Sequence, residues 1–175
     1  QIIRTGIDVS SVGRWNHNIQ KNGKIDEERF ERYAALLDTA IYLNAKTFVC
    51  GCNYDESVSL FKNYCTAIDF FGRLIERADG KINVAIHNCE WGNFIYSPKQ
   101  WEVVCGELSK LYIKFDPSHA YNRGSDYLAE LSDWCERVAH IHIKGTVHAG
   151  KRHVDDPPAG MDDIKWRPLF AILYA

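Results

Sequence analysis

Short apolar segments alternate with longer amphipathic segments along most of the chain. Five of the apolar segments are rich in β-branched and aromatic residues and are bounded by Gly, Asn, Asp or Ser, a pattern that predicts β-strands. The predicted strands are TGIDVSS (5–11), KTFVCGC (46–52), INVAIHN (82–88), LYIKFD (111–116) and VAHIHIK (138–144). Because side chains alternate along a strand, Lys114 and Asp116 should face one side of the sheet, and Ile113 and Phe115 the other.

The segments between the predicted strands carry apolar residues at helical spacing. The four apolar faces are Phe30, Tyr33, Ala34, Leu37 and Ile41; Phe61, Cys65, Ile68 and Ile75; Trp101, Val104, Cys105 and Leu108; and Leu128, Leu131 and Trp134. Ser97, followed by Pro98 and then Gln100, predicts a helix start with a capping box. Asp162 is the predicted N-cap of a last helix that runs through Trp166 and Leu173.

Strands that alternate with helices predict parallel pairing through right-handed crossovers. Either an open doubly wound α/β sheet or a (β/α)8 barrel satisfies this pattern, but the chain has no G-x-G-x-x-G or phosphate-binding loop for the nucleotide-binding form of the open sheet. With 175 residues the chain is sized for a single domain, 1–175. Barrels typically run to roughly 250 residues, and the chain lacks an initiating Met and stops within an amphipathic pattern. If the strands form a TIM barrel, we expect it to be truncated at both ends.

Polar side chains follow three consecutive predicted strands. They are His87, Asn88 and Glu90 on the third strand, Asp116 and His119 on the fourth, and His140, His142 and Lys144 on the fifth. In a parallel barrel the carboxyl ends of the strands share one mouth, so these groups should converge. A carboxylate with imidazoles suits a divalent Mn, Co, Zn or Mg ion. The alternative for any single histidine is a hydrogen bond within the core.

Two polar loops should reach the same mouth. One follows the first strand and contains Arg14, Trp15, Asn16 and His17; the other is a long loop after the fifth strand with His148, Lys151, Arg152 and His153. Long ordered loops in compact domains are usually functional. Trp15 and Trp91 could line a sugar pocket or pack in the core, and the basic loop residues could hold a phosphate or be solvated.

Composition excludes several classes of protein. Lys and Arg total 21 and Asp and Glu total 23, a formal net charge of −2 without runs of like charge, so no nucleic-acid partner is expected. No apolar stretch approaches the roughly 18 residues that span a bilayer, so we expect no membrane segment. The six cysteines are dispersed, which fits free thiols in the reducing cytoplasm. Cys50 and Cys52 form a C-x-C pair, which alone is a weak metal signal.

Several motifs together resemble the sugar phosphate isomerase/epimerase family. They are SSVGRW, NCEW, DPSHAY, HIHIKG and DPPAGMDDIKW, and the resemblance runs from about Gly6 to the end of the chain. The family has the xylose-isomerase-like TIM barrel that ketose 3-epimerases and endonuclease IV also share. The resemblance implies a metal-dependent barrel enzyme that acts on a small carbohydrate.

The resemblance also implies roles for individual residues. Asp116 matches the Asp of the D-x-x-H motif, His142 matches the second His of H-x-H, and His119 matches a histidine that contacts substrate. Asn88 occupies the position of the family's first metal-binding glutamate, with Glu90 two residues further on. The family's last glutamate has no counterpart because the chain ends first.

These assignments predict a metal-dependent sugar or sugar phosphate isomerase/epimerase that acts through an enediolate. Asp116 and His142 are the expected metal ligands, with Asn88, or alternatively Glu90, as a further ligand. Glu90, His119 and Lys144 are the expected catalytic groups. Expected substrate contacts are Arg14, Trp15, His87, Trp91, His140, His148 and Arg152. Since asparagine cannot act as a base, two alternatives remain: a non-catalytic carbohydrate-binding protein, or a metal-dependent hydrolase or lyase of the endonuclease IV-like branch. A homo-oligomer is compatible with any of these.

Overall fold

The computed structural model describes residues 6–15 and 18–175, and within them an alternation of strands and helices. The strands are β1 (Ser11–Gly13), β2 (Gln20–Lys21), β3 (Lys24–Ile25), β4 (Thr47–Cys50), β5 (Asn83–His87), β6 (Leu111–Phe115), β7 (Val138–Ile141), β8 (Val147–Ala149) and β9 (Arg152–Asp155). The helices are α1 (Glu27–Tyr42), α2 (Leu60–Ala78), α3 (Pro98–Glu107), α4 (Pro117–Asn122), α5 (Tyr127–Trp134) and α6 (Trp166–Leu173), with a 3₁₀ turn at Cys135–Arg137.

The main sheet has five parallel strands in the order β1-β4-β5-β6-β7. The order of these strands in the sheet is their order along the chain, as in a parallel α/β barrel. One face of the sheet carries apolar residues such as Phe48, Ile86 and Phe115, which join the helices in the core. The other face carries Lys114 and Asp116, both 1 % exposed, so the predicted alternation along β6 is confirmed.

Several helices form as their sequence signals indicate. In α3, Gln100 accepts a hydrogen bond from the Ser97 backbone N–H at 3.2 Å, so the predicted capping box is present. Asp26 caps α1 through the Arg29 N–H at 3.1 Å. Among the described helices, none is long and apolar enough to cross a membrane. All six cysteines are free thiols.

The first predicted strand was wrong in position. The segment that pairs with β4 is Ser11–Gly13, after most of the predicted 5–11 range, while Ile7 is 68 % exposed. The alternation of Ile7 and Val9 suggested a strand, but the ladder forms where β4 offers a partner.

The apolar face of α2 and the start of α6 also differ from prediction. Phe61 is 77 % exposed, and α2 instead buries a face that includes Phe70, Phe71 and Leu74, because those side chains meet the sheet. Asp162 does not cap α6, which begins at Trp166; its carboxylate accepts from the Ile164 N–H at 2.7 Å.

Two small antiparallel hairpins complete the described part of the chain. The β2–β3 hairpin turns at Asn22 and Gly23, which both have positive φ. An Asn-Gly pair is a strong sequence signal for a two-residue hairpin turn, and this hairpin was not among the predicted elements. The β8–β9 hairpin occupies residues predicted as a loop after the fifth strand.

Candidate active site

The sheet register brings three polar side chains from neighbouring strands into one row. His87 on β5 lies opposite Lys114 on β6, and Lys114 lies opposite His140 on β7. The β6–β7 register shifts between Ile113 and Lys114, and this irregularity places His140 rather than Ala139 beside Lys114. Because the strands are parallel and end near this row, the residues that follow them meet at one edge of the sheet.

Asp116 follows β6 directly and lies among several polar groups. Its Oδ1 accepts hydrogen bonds from the Ser118 N–H at 3.1 Å and the Ser118 hydroxyl at 2.6 Å, which makes Asp116 the N-cap of α4. Its Oδ2 lies 3.4 Å from Lys114 Nζ, 3.6 Å from His119 Nε2 and 3.7 Å from His142 Nδ1. One buried carboxylate therefore contacts one ammonium and two imidazoles.

The electrostatic environment keeps Asp116 ionised and His119 neutral. Burial acts to raise the pKa of Asp116, but the hydrogen bond from His142 and the Lys114 ammonium outweigh it and hold that pKa well below its usual range. Burial lowers the pKa of Lys114, although Asp116 opposes the shift. Burial also lowers the pKa of His119 to about 4, and Lys114 and Lys144 add to the effect against the pull of Asp116. At pH 7 the His119 imidazole therefore has one donor and one acceptor nitrogen.

Asn88 makes a main-chain contact that the sequence did not predict. Its side chain is fully buried; Nδ2 donates to the Asp116 carbonyl oxygen at 2.9 Å, and Oδ1 accepts from the Asp116 N–H at 3.0 Å. The Asn88 backbone N–H also donates to the Lys114 carbonyl oxygen at 3.3 Å. The side-chain amide thus extends the β5–β6 hydrogen bonding past the last paired residues and fixes the main chain that carries Asp116.

Two adjoining clefts open at these groups. The inner cleft, of about 540 Å³, is lined by Trp15, Asn18, Cys89, Trp91, Gly92, Lys114, Asp116, His119, His142 and Lys144. The outer cleft, of about 440 Å³, is lined by Glu90, Trp91, His119, Asn122, Arg123, Lys144, His153 and Asp156. Sites for small molecules usually measure about 300–1,000 Å³, so each cleft has the size of a ligand site.

Most of the predicted site residues meet at these clefts. The inner cleft is lined by Trp15, Trp91, Asp116, His119, His142 and Lys144, whereas Glu90 lines only the outer cleft. His87 and His140 line neither cleft. His87 is fully buried with its ring 4.5 Å from the Trp15 ring, and His140 Nε2 lies 3.3 Å from Ser11 Oγ. A substrate contact for these two histidines stays a prediction.

Three more of the predicted substrate contacts, besides His87 and His140, lie outside both clefts as the described residues define them. The Arg14 guanidinium lies over the Tyr33 ring of α1 at 4.8 Å. His148 Nε2 lies 2.8 Å from Asn122 Oδ1, and Arg152 is exposed on β9. Asn16 and His17, which were also expected at the mouth, lie outside the described residues.

Three charged residues that line the clefts have no role predicted from the sequence. Lys114 carried a signal, since it alternates with Asp116 along one strand. Arg123 donates to the Asn88 carbonyl oxygen at 3.2 Å and to the two Glu130 carboxylate oxygens at 3.1 and 3.2 Å. Asp156 lies 3.1 Å from Lys144 Nζ and also contacts a histidine of the β8–β9 hairpin. Tertiary packing alone brings Arg123 and Asp156 to the mouth, so a local pattern could not reveal them.

The profile of the xylose isomerase-like TIM barrel family matches residues 1–175. The chain belongs to this family. Its membership confirms the predicted fold class and the family resemblance, and the five parallel strands are the part of the barrel sheet that the described residues form. No curated protein matches the sequence.

Solved xylose isomerase-like barrels share this fold at low sequence identity. A xylose isomerase domain protein from Planctomyces limnophilus has a TM-score of 0.75 and 16 % identity, over 99 % of this chain and 68 % of that one. The apo form of 3-keto-D-glucoside 4-epimerase from E. coli has a TM-score of 0.74 and 16 % identity, over 99 % and 69 %. An IolI protein with a bound zinc atom has a TM-score of 0.70 and 14 % identity, over 94 % and 61 %.

The residues at the mouth of this xylose isomerase-like barrel fit a divalent metal by their chemistry. Asp116 and His142 offer a carboxylate and an imidazole, which are donor types suited to Mn, Co or Zn, and the His119 imidazole lies beside them. Two contacts modify that fit. The Lys114 ammonium contacts Asp116 Oδ2, the oxygen that lies nearest the two imidazoles, and Asn88 Oδ1 already accepts a hydrogen bond from the Asp116 N–H. Within residues 6–15 and 18–175, no group of three or more His, Cys, Asp or Glu side chains is already arranged to hold a metal.

Proposed function

We propose that this protein is a sugar isomerase or epimerase that uses a divalent metal and acts through an enediolate in the inner cleft. The observation that carries the proposal is the convergence of Asp116, His119 and His142 in a cleft bordered by Trp15 and Trp91. Structural neighbours support the class of reaction, since one is a sugar epimerase and another was solved with zinc.

In this proposal Asp116 and His142 hold the metal, and Asn88 keeps Asp116 in place through its two main-chain hydrogen bonds. The bound ion would polarise the carbonyl and hydroxyl oxygens of the sugar and stabilise negative charge on them. Asn88 is therefore proposed as a positioning residue, although its position in the family motif pointed to a ligand.

His119 and Lys144 are the proposed groups that act on the substrate. Both line the inner cleft, whereas Glu90 lines only the outer one. His119 is neutral at pH 7 because of its lowered pKa, so it can accept a proton from the carbon beside the sugar carbonyl. Lys144 can donate hydrogen bonds to substrate oxygens. A catalytic role for Glu90 stays a prediction that requires the substrate to reach into the outer cleft.

Carbohydrate binding without turnover is a second candidate function. The observation that favours it is Asn88, an amide bonded to the main chain at the position where family members carry a glutamate base. The described residues give less support to a hydrolase or lyase of the endonuclease IV-like branch, because Arg123, Lys114 and Lys144 each pair with a carboxylate and leave no basic groove.

Deuterium exchange tests the isomerase proposal directly. The protein is incubated with Mn²⁺, Co²⁺ or Zn²⁺ and a panel of aldoses and ketoses in D2O, and NMR follows loss of the C–H signal beside the carbonyl. We expect exchange with at least one sugar, loss of exchange in His119→Gln, and loss of bound metal by elemental mass spectrometry in Asp116→Ala/His142→Ala. Asp133→Asn, on the exposed side of α5, is the control that should change neither result.

Two outcomes separate the candidate functions. Sugar binding without exchange in any metal form would refute the enediolate mechanism and favour the carbohydrate-binding protein. Unchanged metal content in Asp116→Ala/His142→Ala would refute the proposed metal ligands.

A further inference from the structure

In the proposed reaction one sugar ring reacts in the inner cleft, which leaves the outer cleft without an assigned ligand. The outer cleft measures about 440 Å³ and adjoins the inner cleft across Trp91, His119 and Lys144, which line both. We propose that the outer cleft is a subsite for a second, uncharged sugar unit, so that the preferred substrate is a reducing disaccharide whose reducing ring opens in the inner cleft. This inference rests on the proposed function and specifies its substrate class.

Trp91 supplies the surface that joins the two clefts. Its side chain is 79 % exposed, although its ring packs against His119 with the centroids 6.0 Å apart. An indole that is supported on one side and open on the other offers a flat apolar surface together with an N–H donor. Since Trp91 borders both clefts, one side chain can contact two linked rings.

The remaining walls of the outer cleft match the hydroxyl groups of a sugar. Glu90 and Asp156 offer carboxylate acceptors, Asn122 carries an amide, and His153 carries an imidazole. Ligand sites commonly combine an apolar surface with a few polar groups that fix orientation. The outer cleft combines both elements around one exposed indole.

The charges of the outer cleft argue against a phosphate at this position. Arg123 contacts both oxygens of Glu130 and lies 3.8 Å from Glu90, and Lys144 Nζ lies 3.1 Å from Asp156. A phosphate dianion would therefore have to displace a carboxylate from its cation and would then lie close to that carboxylate. An uncharged sugar unit leaves both ion pairs intact.

Calorimetric titration of the protein tests the subsite. The titrants are D-glucose, D-fructose, maltose, cellobiose, lactulose and D-glucose 6-phosphate, with and without Mn²⁺. We expect at least one disaccharide to bind about tenfold more tightly than its own monosaccharides, equivalent to ~1.4 kcal/mol. Glucose 6-phosphate should bind no more tightly than glucose.

Variants locate the effect in the outer cleft. His153→Ala changes a residue of the outer cleft alone and should reduce the disaccharide preference while the monosaccharide Kd stays constant. Lys151→Ala, in the turn of the same hairpin and outside both clefts, is the matched control and should change neither value. Glu130→Gln removes the carboxylate beside Arg123 and should tighten glucose 6-phosphate binding at least about threefold.

The outcomes distinguish this inference from the function on which it rests. Monosaccharides that bind as tightly as the disaccharides, or glucose 6-phosphate that binds more tightly than glucose, would overturn the subsite and leave the isomerase proposal intact. Failure of every sugar in the panel to bind, together with no deuterium exchange, would overturn both.

Discussion

Replacing Asn88 by alanine separates a structural role of this amide from a role as metal ligand. In metal-free protein the variant loses two hydrogen bonds to the Asp116 main chain, of 2.9 and 3.0 Å, at a site with no solvent exposure. Each buried main-chain group left without a partner costs about 1–3 kcal/mol, so the free energy of unfolding should fall by about 2–6 kcal/mol. A residue that only bound a metal would leave the metal-free protein almost unchanged.

Equilibrium unfolding in urea, with EDTA present and tryptophan fluorescence as the signal, measures this difference. Asn83→Ala is the matched control, because Asn83 begins β5, the strand that Asn88 follows, with an exposed side chain whose loss should cost less than about 0.5 kcal/mol. A change below about 1 kcal/mol in Asn88→Ala, together with loss of metal binding, would refute the positioning role and restore Asn88 as a ligand.

Three further predictions concern neighbouring residues. Gly51→Ala should lower the free energy of unfolding by about 1–3 kcal/mol, measured by thermal unfolding, because the added Cβ would lie 2.8 Å from His87 Nε2. Gly106→Ala is the control and should be neutral or stabilising, because a Cβ at this position would meet nothing within 4 Å among the described residues beyond its chain neighbours and the backbone of its own helix. Equal costs in the two variants would contradict the packing argument. His119, with its pKa lowered to about 4, should show no NMR titration between pH 5.5 and 8. Between about pH 6.5 and 4 the unfolded chain binds more protons at this histidine than the folded protein does. The free energy of unfolding should therefore fall as the pH drops through this range, and it should fall less in His119→Asn. Lys114→Met should tighten Mn²⁺ or Zn²⁺ binding about tenfold in a chelator competition, because the ammonium lies 3.4 Å from the carboxylate; unchanged affinity would refute that competition.

The sequence predicted the elements whose local signal and tertiary partner agree. Four of the five main strands and helices α1, α2, α3 and α5 form where predicted, because the apolar periodicity of each segment agrees with its packing in the fold. The face of α2 was predicted wrongly because Phe61 shares a helical face with Cys65, Ile68 and Ile75, and only packing against the sheet decides which face of the helix is fully covered. The first strand was misplaced for a related reason, since β4 determines which segment pairs with it.

The candidate site was predictable where one strand carries several of its groups. Strand alternation identified the side of the sheet on which Asp116 lies, and the position of the parallel strand ends predicted that His119 and His142 would come near it. The contacts that determine electrostatics were not predictable, because Arg123 and Asp156 reach the mouth through tertiary packing. A sequence pattern shows which side chains come near a site, whereas the ion pairs that they form depend on distances in the folded protein.

The amide at position 88 links the fold to the chemistry of the site. Its contact with Asp116 needs one donor and one acceptor on the same side chain, which asparagine supplies and an ionised glutamate cannot. A glutamate here would leave the Asp116 carbonyl oxygen without its donor and would bury a second carboxylate beside Asp116. Asn88→Glu would therefore disturb the strand end before it could provide a base. Lys114 Nζ lies 3.4 Å from the buried Asp116 carboxylate, and any proton transfer in the inner cleft would have to involve groups other than residue 88, because an amide is not a base at neutral pH.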